Sequence, residues 1–232
     1  MFDALTPDEW TAIALSLRVA VAATLAALPI GLAFAFLPAR ARFPGRPLAD
    51  GLIHLPLVMP PVVTGYLLLI LFGRRGPIGA FLEQTFGIVL AFRWTGAALA
   101  SAIMGLPLMV RAMRLSLEAV DRRLEAAAET LGAPRLRILA TITLPLMLPG
   151  ILAGLVLCFA RALGEFGATI TFVGNIPGVT QTIPSAIYTY TQVPGGDAGA
   201  LRLTAIAVAI AFVALVASEI LARRVARRMA GP

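Results

Sequence analysis

The chain has 232 residues, of which 59% are hydrophobic and 13% are charged. Soluble domains carry about 25% charged residues, so this composition excludes an ordinary soluble domain, and its hydrophobicity excludes intrinsic disorder. All 19 basic residues are arginines, and the net charge is +7. These arginines lie between apolar segments, which indicates membrane topology and not nucleic-acid binding. Cys158 and His54 are the only cysteine and histidine, so no intrachain disulfide and no metal site are expected.

Five apolar segments have about the length that a helix needs to cross a bilayer. They cover residues 12–37, 52–72, 96–110 with an extension to 117, 146–173, and 203–222. A sixth apolar piece, 78–92, is short and carries polar residues, so it predicts an interfacial or re-entrant element. The sequence therefore predicts an all-α, polytopic membrane protein with about five transmembrane helices. No internal repeat is visible, so residues 1–232 are expected to form one membrane domain.

The arginines are distributed unequally between the two predicted sides of the membrane. Three follow the first segment, six follow the third and four follow the fifth, whereas the opposite side has mainly Arg74, Arg75 and Arg93. Because positive residues mark the cytoplasmic side, the N-terminus is predicted outside and the C-terminus in the cytoplasm. The one substantial cytoplasmic loop then covers about residues 111–145.

This loop has the pattern of two short helices joined at a glycine. Residues 116–131 predict an amphipathic helix with an apolar stripe of Leu117, Val120, Leu124, Ala127 and Leu131. Gly132 suits a left-handed C-terminal cap, and Pro134 suits the first position of a second helix that ends at Leu144 and Pro145. Such a pair forms either a rigid knob that projects from the membrane or a surface helix pair that lies on lipid headgroups.

The string EAAAETLGAPRLRILATITLPLMLPGI (125–151) resembles the signature loop of importer-type ABC transporter permeases. The resemblance implies that the loop docks onto a cytoplasmic ABC ATPase subunit. The matching positions are Glu125, Ala126, Ala127, Gly132, Leu144 and Pro145. The family glutamate lies six residues before the glycine, where this chain has Ala126; either Glu125 takes over its role or the acid is dispensable.

The strings at 55–79, 105–125, 161–178 and 181–203 resemble the molybdate ABC transporter permeases, and the string RALGEFGA within them is shared with sulfate permeases. The resemblance implies a multi-pass permease of the bacterial cytoplasmic (inner) membrane that imports molybdate, and also tungstate, with sulfate or thiosulfate as the alternative substrate. It also implies a periplasmic or extracellular oxyanion-binding protein as a partner. The chain itself has no phosphate-binding loop and no catalytic constellation. We therefore expect it to be no enzyme and to bind no cofactor, with ATP and magnesium on the ATPase subunit.

Five spans are few to enclose a path for a tetrahedral anion, so a homodimer with the path on its two-fold axis is expected. A self-sufficient channel or a secondary transporter is an alternative from another class, although internal inverted repeats are typical of the latter. A third alternative is a membrane adaptor that recruits a soluble partner without transport.

Two charged residues, Arg161 and Glu165, are predicted near the middle of the fourth span, at i and i+4 on one helical face. They form either a structural ion pair, which the carboxylate's repulsion of a dianion favours, or part of the translocation pathway. Gly164 and Gly167 flank Glu165 and predict close packing or a local break. Thr169 either lines a polar path or bonds back to its own helix.

The second span contains Pro60 and Pro61, which predict a kink. Such a kink either forms a gate or only shapes packing. His54 lies just before these prolines and is interpreted as an interfacial residue without a ligand. Residues 183–190 predict a short helix on the outer side.

Overall fold

The computed structural model describes residues 5–40 and 45–229. Within those ranges the chain forms eleven α-helices and one π-helical turn, with no strand. The helices are α1 (Pro7–Arg40), α2 (Arg46–Val58), α3 (Pro61–Phe72), α4 (Pro77–Phe86), α5 (Trp94–Glu118), α6 (Arg122–Thr130), α7 (Arg135–Ile138), α8 (Leu144–Leu163), α9 (Gly167–Val173), α10 (Ile183–Thr191) and α11 (Asp197–Met229). The π-turn, Leu139–Thr143, joins α7 to α8. The all-α prediction is therefore confirmed for the part of the chain that the structure describes.

Four continuous helical stretches are long and apolar enough to cross a membrane. They are Pro7–Phe36, Trp94–Glu118, Arg135–Leu163 and Asp197–Arg224. The predicted second span is not one straight helix, because α2 and α3 meet at an angle of 114°. The bend lies at Pro60 and Pro61, which the sequence indicated as a kink. The 12 residues of α3 rise only about 18 Å, less than a hydrocarbon core of about 30 Å. Among the described residues there are thus four candidate spans, or five if the bent pair counts as one.

The core is the contact of α1, α5 and α8, and small residues allow these helices to approach closely. A Cβ atom added to Gly105 of α5 would lie 2.6 Å from the Sγ atom of Cys158 in α8. On α1, Ala20, Ala23 and Ala27 are buried in the same cluster. Glycine and alanine at helix contacts are the usual means of close packing in membranes, where water cannot drive association.

An ion pair at the start of α1 holds α11 in place. The side chain of Glu9 is buried, and its Oε1 atom accepts hydrogen bonds from Nη2 of Arg202 at 2.8 Å and from Nε at 3.2 Å. Its Oε2 atom accepts from the backbone N–H of Thr6 at 2.8 Å. The buried hydroxyl of Ser16, also on α1, accepts from the N–H of Ile183 at 2.7 Å, so α10 is fixed to the same end of the bundle. The predicted helix at 183–190 is confirmed as α10.

A second ion pair holds α2 against the far end of α5. Nη2 of Arg114 donates to Oδ1 of Asp50 at 2.7 Å, and the same nitrogen lies 3.5 Å from the carbonyl oxygen of Phe34 on α1. His54 has its Nδ1 atom 2.8 Å from the carbonyl oxygen of Asp50. The sequence analysis did not pair Asp50 with Arg114, because 64 residues separate them.

Four predicted boundaries were wrong, each for a local reason. The fourth span does not continue to 173, because α8 ends at Leu163 before a glycine. Residues 116–131 do not form one helix. The helix α5 ends at Glu118, and α6 begins after Asp121, whose carboxylate accepts a hydrogen bond from the N–H of Arg123 at 2.9 Å. Pro134 is the N-cap of α7 and not its first residue. Leu144 and Pro145 do not end a helix but begin α8.

In the sixth apolar piece, α4 has only 10 residues, which is too short to span.

We expect the buried pair of Glu9 and Arg202 to contribute strongly to stability. Arg202→Met would leave a buried carboxylate unpaired, which costs about 3 kcal/mol and should lower the melting temperature of the purified protein. Arg223→Met is the matched control, because Arg223 pairs with Glu219 on the exposed surface of α11, where such a pair contributes about 0–1 kcal/mol. Equal melting temperatures for the two variants would contradict the assignment.

Candidate functional site

Two interruptions of the helical backbone meet inside the bundle. The first separates α2 from α3 at Pro60, and the second separates α8 from α9 at residues 164–166. A Cβ atom on Gly167 would lie 2.8 Å from Cβ of Pro61, and one on Gly65 would lie 2.5 Å from the carbonyl oxygen of Ala168. Pro61 of the predicted gate and Gly167 of the predicted pathway, which the sequence placed on separate spans, therefore lie in direct contact.

Glu165 lies in the second break and not on a helical face. Its side chain is 2% exposed, and its Oε1 atom accepts from the backbone N–H of Ala168 at 2.7 Å. This contact caps the first turn of α9, whose N–H groups have no partner within the helix. The Oε2 atom lies 2.5 Å from Nη1 of Arg161 as a close ion pair, although the angles of a well-formed hydrogen bond are not met there. The expected pair is thus present, but Glu165 also satisfies the backbone of α9.

The break has a local cause in the sequence. Gly164 and Gly167 both disfavour a continuous helix, and Phe166 between them adopts φ −131° and ψ −52°. The hydroxyl of Thr169 is buried and donates to the carbonyl oxygen of Phe166 at 2.9 Å. Thr171 bonds back in the same way to the carbonyl oxygen of Gly167 at 2.8 Å. The backbone of α9 therefore provides an acceptor for both hydroxyls, as in the second of the two interpretations of Thr169.

The titratable side chains at the second break are those of Arg161 and Glu165. Among the described residues no group of His, Cys, Asp and Glu side chains is arranged to hold a metal ion. The carboxylate of Glu165 is neutralised by Arg161, whose own side chain is 27% exposed. A partly accessible guanidinium beside a buried carboxylate is suited to hold two helices in register.

The predicted turn between two short helices is present, since α6 and α7 meet at Gly132, and we call residues 119–145 the knob. At its tip, Gly132 has φ +81°, its N–H donates to the carbonyl oxygen of Glu129 at 3.0 Å, and the N–H of Ala133 donates to that of Ala128 at 3.1 Å. These two bonds define a Schellman motif, which requires a left-handed residue after the helix. The predicted glycine cap is confirmed.

The orientation of α6 differs from the predicted apolar stripe. Leu124, Ala126, Ala127 and Leu131 are exposed, and Leu131 is 87% exposed. The residue that α6 buries is Glu125, whose Oε1 atom accepts from the hydroxyl of buried Thr143 at 2.5 Å. A buried carboxylate needs a donor, and this requirement outweighs the burial of one leucine. The sequence analysis missed Thr143, because a pairing across 18 residues leaves no local pattern.

The knob exposes apolar surface next to a cavity. Leu136 is 80% exposed and lies just beyond Gly132 along the chain. A cavity of about 520 Å³ is lined by Phe36 at the end of α1, by Glu125 and Glu129 of α6, and by Leu136. The helices of the knob thus leave Leu131 and Leu136 uncovered in the single chain.

Because α3 packs closely on α9, the stability of the protein should be sensitive to one added methyl group at this contact. Gly65→Ala would force its Cβ against a backbone carbonyl, so we expect a loss of roughly 1–3 kcal/mol in stability. Gly51→Ala is the control, because a Cβ atom there meets nothing within 4 Å. Thermal unfolding of the purified variants measures the difference, and an unchanged Gly65→Ala protein would contradict the packing.

The pair of Arg161 and Glu165 predicts that Arg161→Met alone is less stable than its combination with Glu165→Gln. Arg161→Met leaves the buried carboxylate unpaired, which costs about 3 kcal/mol, whereas Glu165→Gln keeps an oxygen for the N–H of Ala168. Combining the two changes should restore most of the lost thermal stability. A double variant no more stable than Arg161→Met would show that the pair is not structural.

Comparison with known proteins identifies the family. The family described as "Binding-protein-dependent transport system inner membrane component" matches residues 27–230. The molybdenum transport system permease protein ModB of Escherichia coli (strain K12) is 60% identical over 227 residues, which cover 98% of this chain and 99% of ModB. ModB of Haemophilus influenzae is 55% identical, and the alignment covers 95% of this chain and 96% of that protein. The sulfate transport system permease protein CysT of Salmonella typhimurium is 39% identical, with 80% of this chain and 67% of CysT covered.

Solved structures agree with this result at the level of the fold. A bacterial ABC transporter that imports the acidic polysaccharide alginate has a subunit that is similar with a TM-score of 0.70 and 20% identity, covering 97% of this chain and 80% of that chain. The architecture is therefore that of an ABC importer permease, and the protein is a multi-pass component of the inner membrane. On these grounds the chain belongs to the family of inner membrane components of binding-protein-dependent transport systems.

Proposed function

We propose that the chain is the permease subunit of an ATP-driven importer that moves molybdate into the cytoplasm and accepts tungstate. The observation that carries this proposal is the 60% identity to a molybdenum permease over 98% of the chain. The alignment covers nearly the whole chain, so it includes both helix breaks and the knob. Sulfate or thiosulfate is the alternative substrate, and the 39% identity to CysT supports it less strongly. A self-sufficient channel or secondary transporter has no comparable support.

The knob is the proposed docking element for a separate ATPase subunit. Leu131 and Leu136 present apolar surface on both sides of Gly132, and burying such surface against a partner is favourable. Ala126 and Ala127 are also exposed on α6. ATP and magnesium would be held by that subunit, and this chain would bind no cofactor.

A second copy of the chain is the proposed partner within the membrane. On α3, Val62, Tyr66 and Ile70 follow a spacing of four residues and are all exposed, while Gly65 on the other side packs on α9. A two-fold axis beside this stripe would place the two helix breaks of each copy next to a central path. An oxyanion-binding protein would then deliver the anion from the outer side, near α10.

The proposed orientation follows the arginine distribution, with the knob in the cytoplasm and the N-terminus outside. The continuous helix Arg135–Leu163 would then connect the ATPase-facing side directly to the break at Glu165. In this mechanism the ATPase moves the knob, the long helix transmits the movement, and the contact of Pro61 with Gly167 opens or closes the path. Pro60 and Pro61 act as the gate because no regular helix continues through them.

Transport assays test the substrate. Proteoliposomes that contain the chain, its ATPase subunit and the oxyanion-binding protein should accumulate labelled molybdate only with ATP inside, and excess tungstate should compete. A tenfold excess of sulfate should have little effect, because the resemblance to sulfate permeases is more distant. Preferential uptake of sulfate would contradict the molybdate assignment, and uptake without the ATPase would support a secondary transporter.

Substitution of Gly132 tests the knob. A Cβ atom there meets nothing within 4 Å, so the penalty is purely conformational, about 1–2 kcal/mol for a residue other than glycine. Gly132→Val should reduce ATP-dependent uptake more than Gly132→Asn, since asparagine tolerates left-handed backbone better than a β-branched residue. Equal uptake by both variants at equal membrane levels would contradict the docking role of this turn.

A further inference from the structure

We propose that Glu125 is a positioning residue that locks the knob to the start of α8, and that it does not act as a contact to the ATPase. The inference rests on the proposed function, because it assigns one step in the coupling of ATP hydrolysis to transport. It reverses the expectation from the sequence, in which Glu125 was a candidate for the docking surface.

The burial of Glu125 supports this role. It is 9% exposed, whereas Leu124 and Leu131 on the same short helix face solvent. Its carboxylate accepts the hydroxyl proton of Thr143, which is 1% exposed, across 2.5 Å. A charge-assisted hydrogen bond between buried groups is among the strongest contacts available to a side chain. The bond joins α6 directly to the last residue of the π-turn.

Because Thr143 belongs to the π-turn, this bond can control the rotation of α8. The N–H of Leu144 donates to the carbonyl oxygen of Leu139, five residues back, so the turn holds one residue more than an α-helical turn. If that extra residue were taken up into regular helix, the helix after the turn would rotate by about 100° relative to α7. Thr143 is the last residue of the turn, so its bond to Glu125 fixes the rotational setting of α8.

A second buried glutamate secures the opposite end of the same helix. Glu165 contacts Arg161 of α8 and accepts from the N–H of Ala168 in α9. The carboxylates of Glu125 and Glu165 thus make contacts at the two ends of α8, one at the knob and one at the helix breaks. A rotation imposed at Thr143 is therefore carried by α8 to the break at residues 164–166, which directly precedes the contact of Gly167 with Pro61.

The test measures molybdate imported per ATP hydrolysed by the assembled transporter in proteoliposomes. Thr143→Val keeps the shape of the side chain and removes the hydroxyl, and it should lower this ratio by roughly tenfold or more, the factor typical of a lost hydrogen bond to a charged group. Thr143→Ser restores a hydroxyl and should return the ratio to that of the wild type. Glu125→Gln, which keeps an acceptor oxygen, should give an intermediate ratio.

Thr141→Val is the matched control, because it removes a hydroxyl from the same turn that bonds only to the local carbonyl oxygen of Arg137. Its ratio should equal that of the wild type. If Thr143→Val and Glu125→Gln lower assembly, ATP hydrolysis and uptake in equal proportion, the ratio stays constant and the contact is merely structural, which overturns the inference. If Thr143→Val fails to assemble, the ratio of Glu125→Gln decides. A wild-type transporter that imports no molybdate would contradict the proposed function itself.

Discussion

A helix that breaks inside a membrane exposes backbone groups that water cannot reach, and the arrangement of this protein depends on how those groups are satisfied. At the second break, the carboxylate of Glu165 accepts the N–H of Ala168, and the hydroxyl of Thr169 donates to the carbonyl oxygen of Phe166. At the first break, the carbonyl oxygen of Pro60 accepts the N–H of Val63 at 2.9 Å. These contacts come from residues of the breaks themselves, so they are compatible with the close approach of Pro61 to Gly167.

The need for an acceptor at the start of α9 explains why a charged residue is present in the second break. Glu165 is useful there because one carboxylate can cap α9 and pair with Arg161 at the same time, and the pairing reduces the cost of burying its charge. At the other end of α8, the buried carboxylate of Glu125 accepts a hydrogen bond from Thr143 and so fixes the π-turn. The same helix therefore begins and ends at contacts that resist rotation, which suits an element that transmits movement.

The sequence predicted features that depend on composition or on neighbouring residues. Hydropathy located the spans that became α1, α5 and α11, since length and apolarity alone decide them, and the glycine cap at Gly132 followed from local geometry. Hydropathy alone extended the fourth span through Glu165, and Gly164 and Gly167 left close packing and a local break as alternatives, because a glycine in a helix indicates either one. Contacts between distant segments, such as Gly65 with Ala168 and Glu125 with Thr143, depend on tertiary packing and leave no periodic pattern.

The central claim is that the exposed stripe of α3 beside the two breaks lines the transport path. Its most direct test is the labelling of Tyr66→Cys by a water-soluble maleimide in the assembled transporter, with the buried native cysteine replaced by Cys158→Ala. Tyr66 is 57% exposed in a single chain. The account predicts labelling at a rate that changes between the resting and the nucleotide-trapped transporter. Labelling only by a lipid-soluble maleimide, at one rate in both states, would show that α3 faces lipid and would contradict the account.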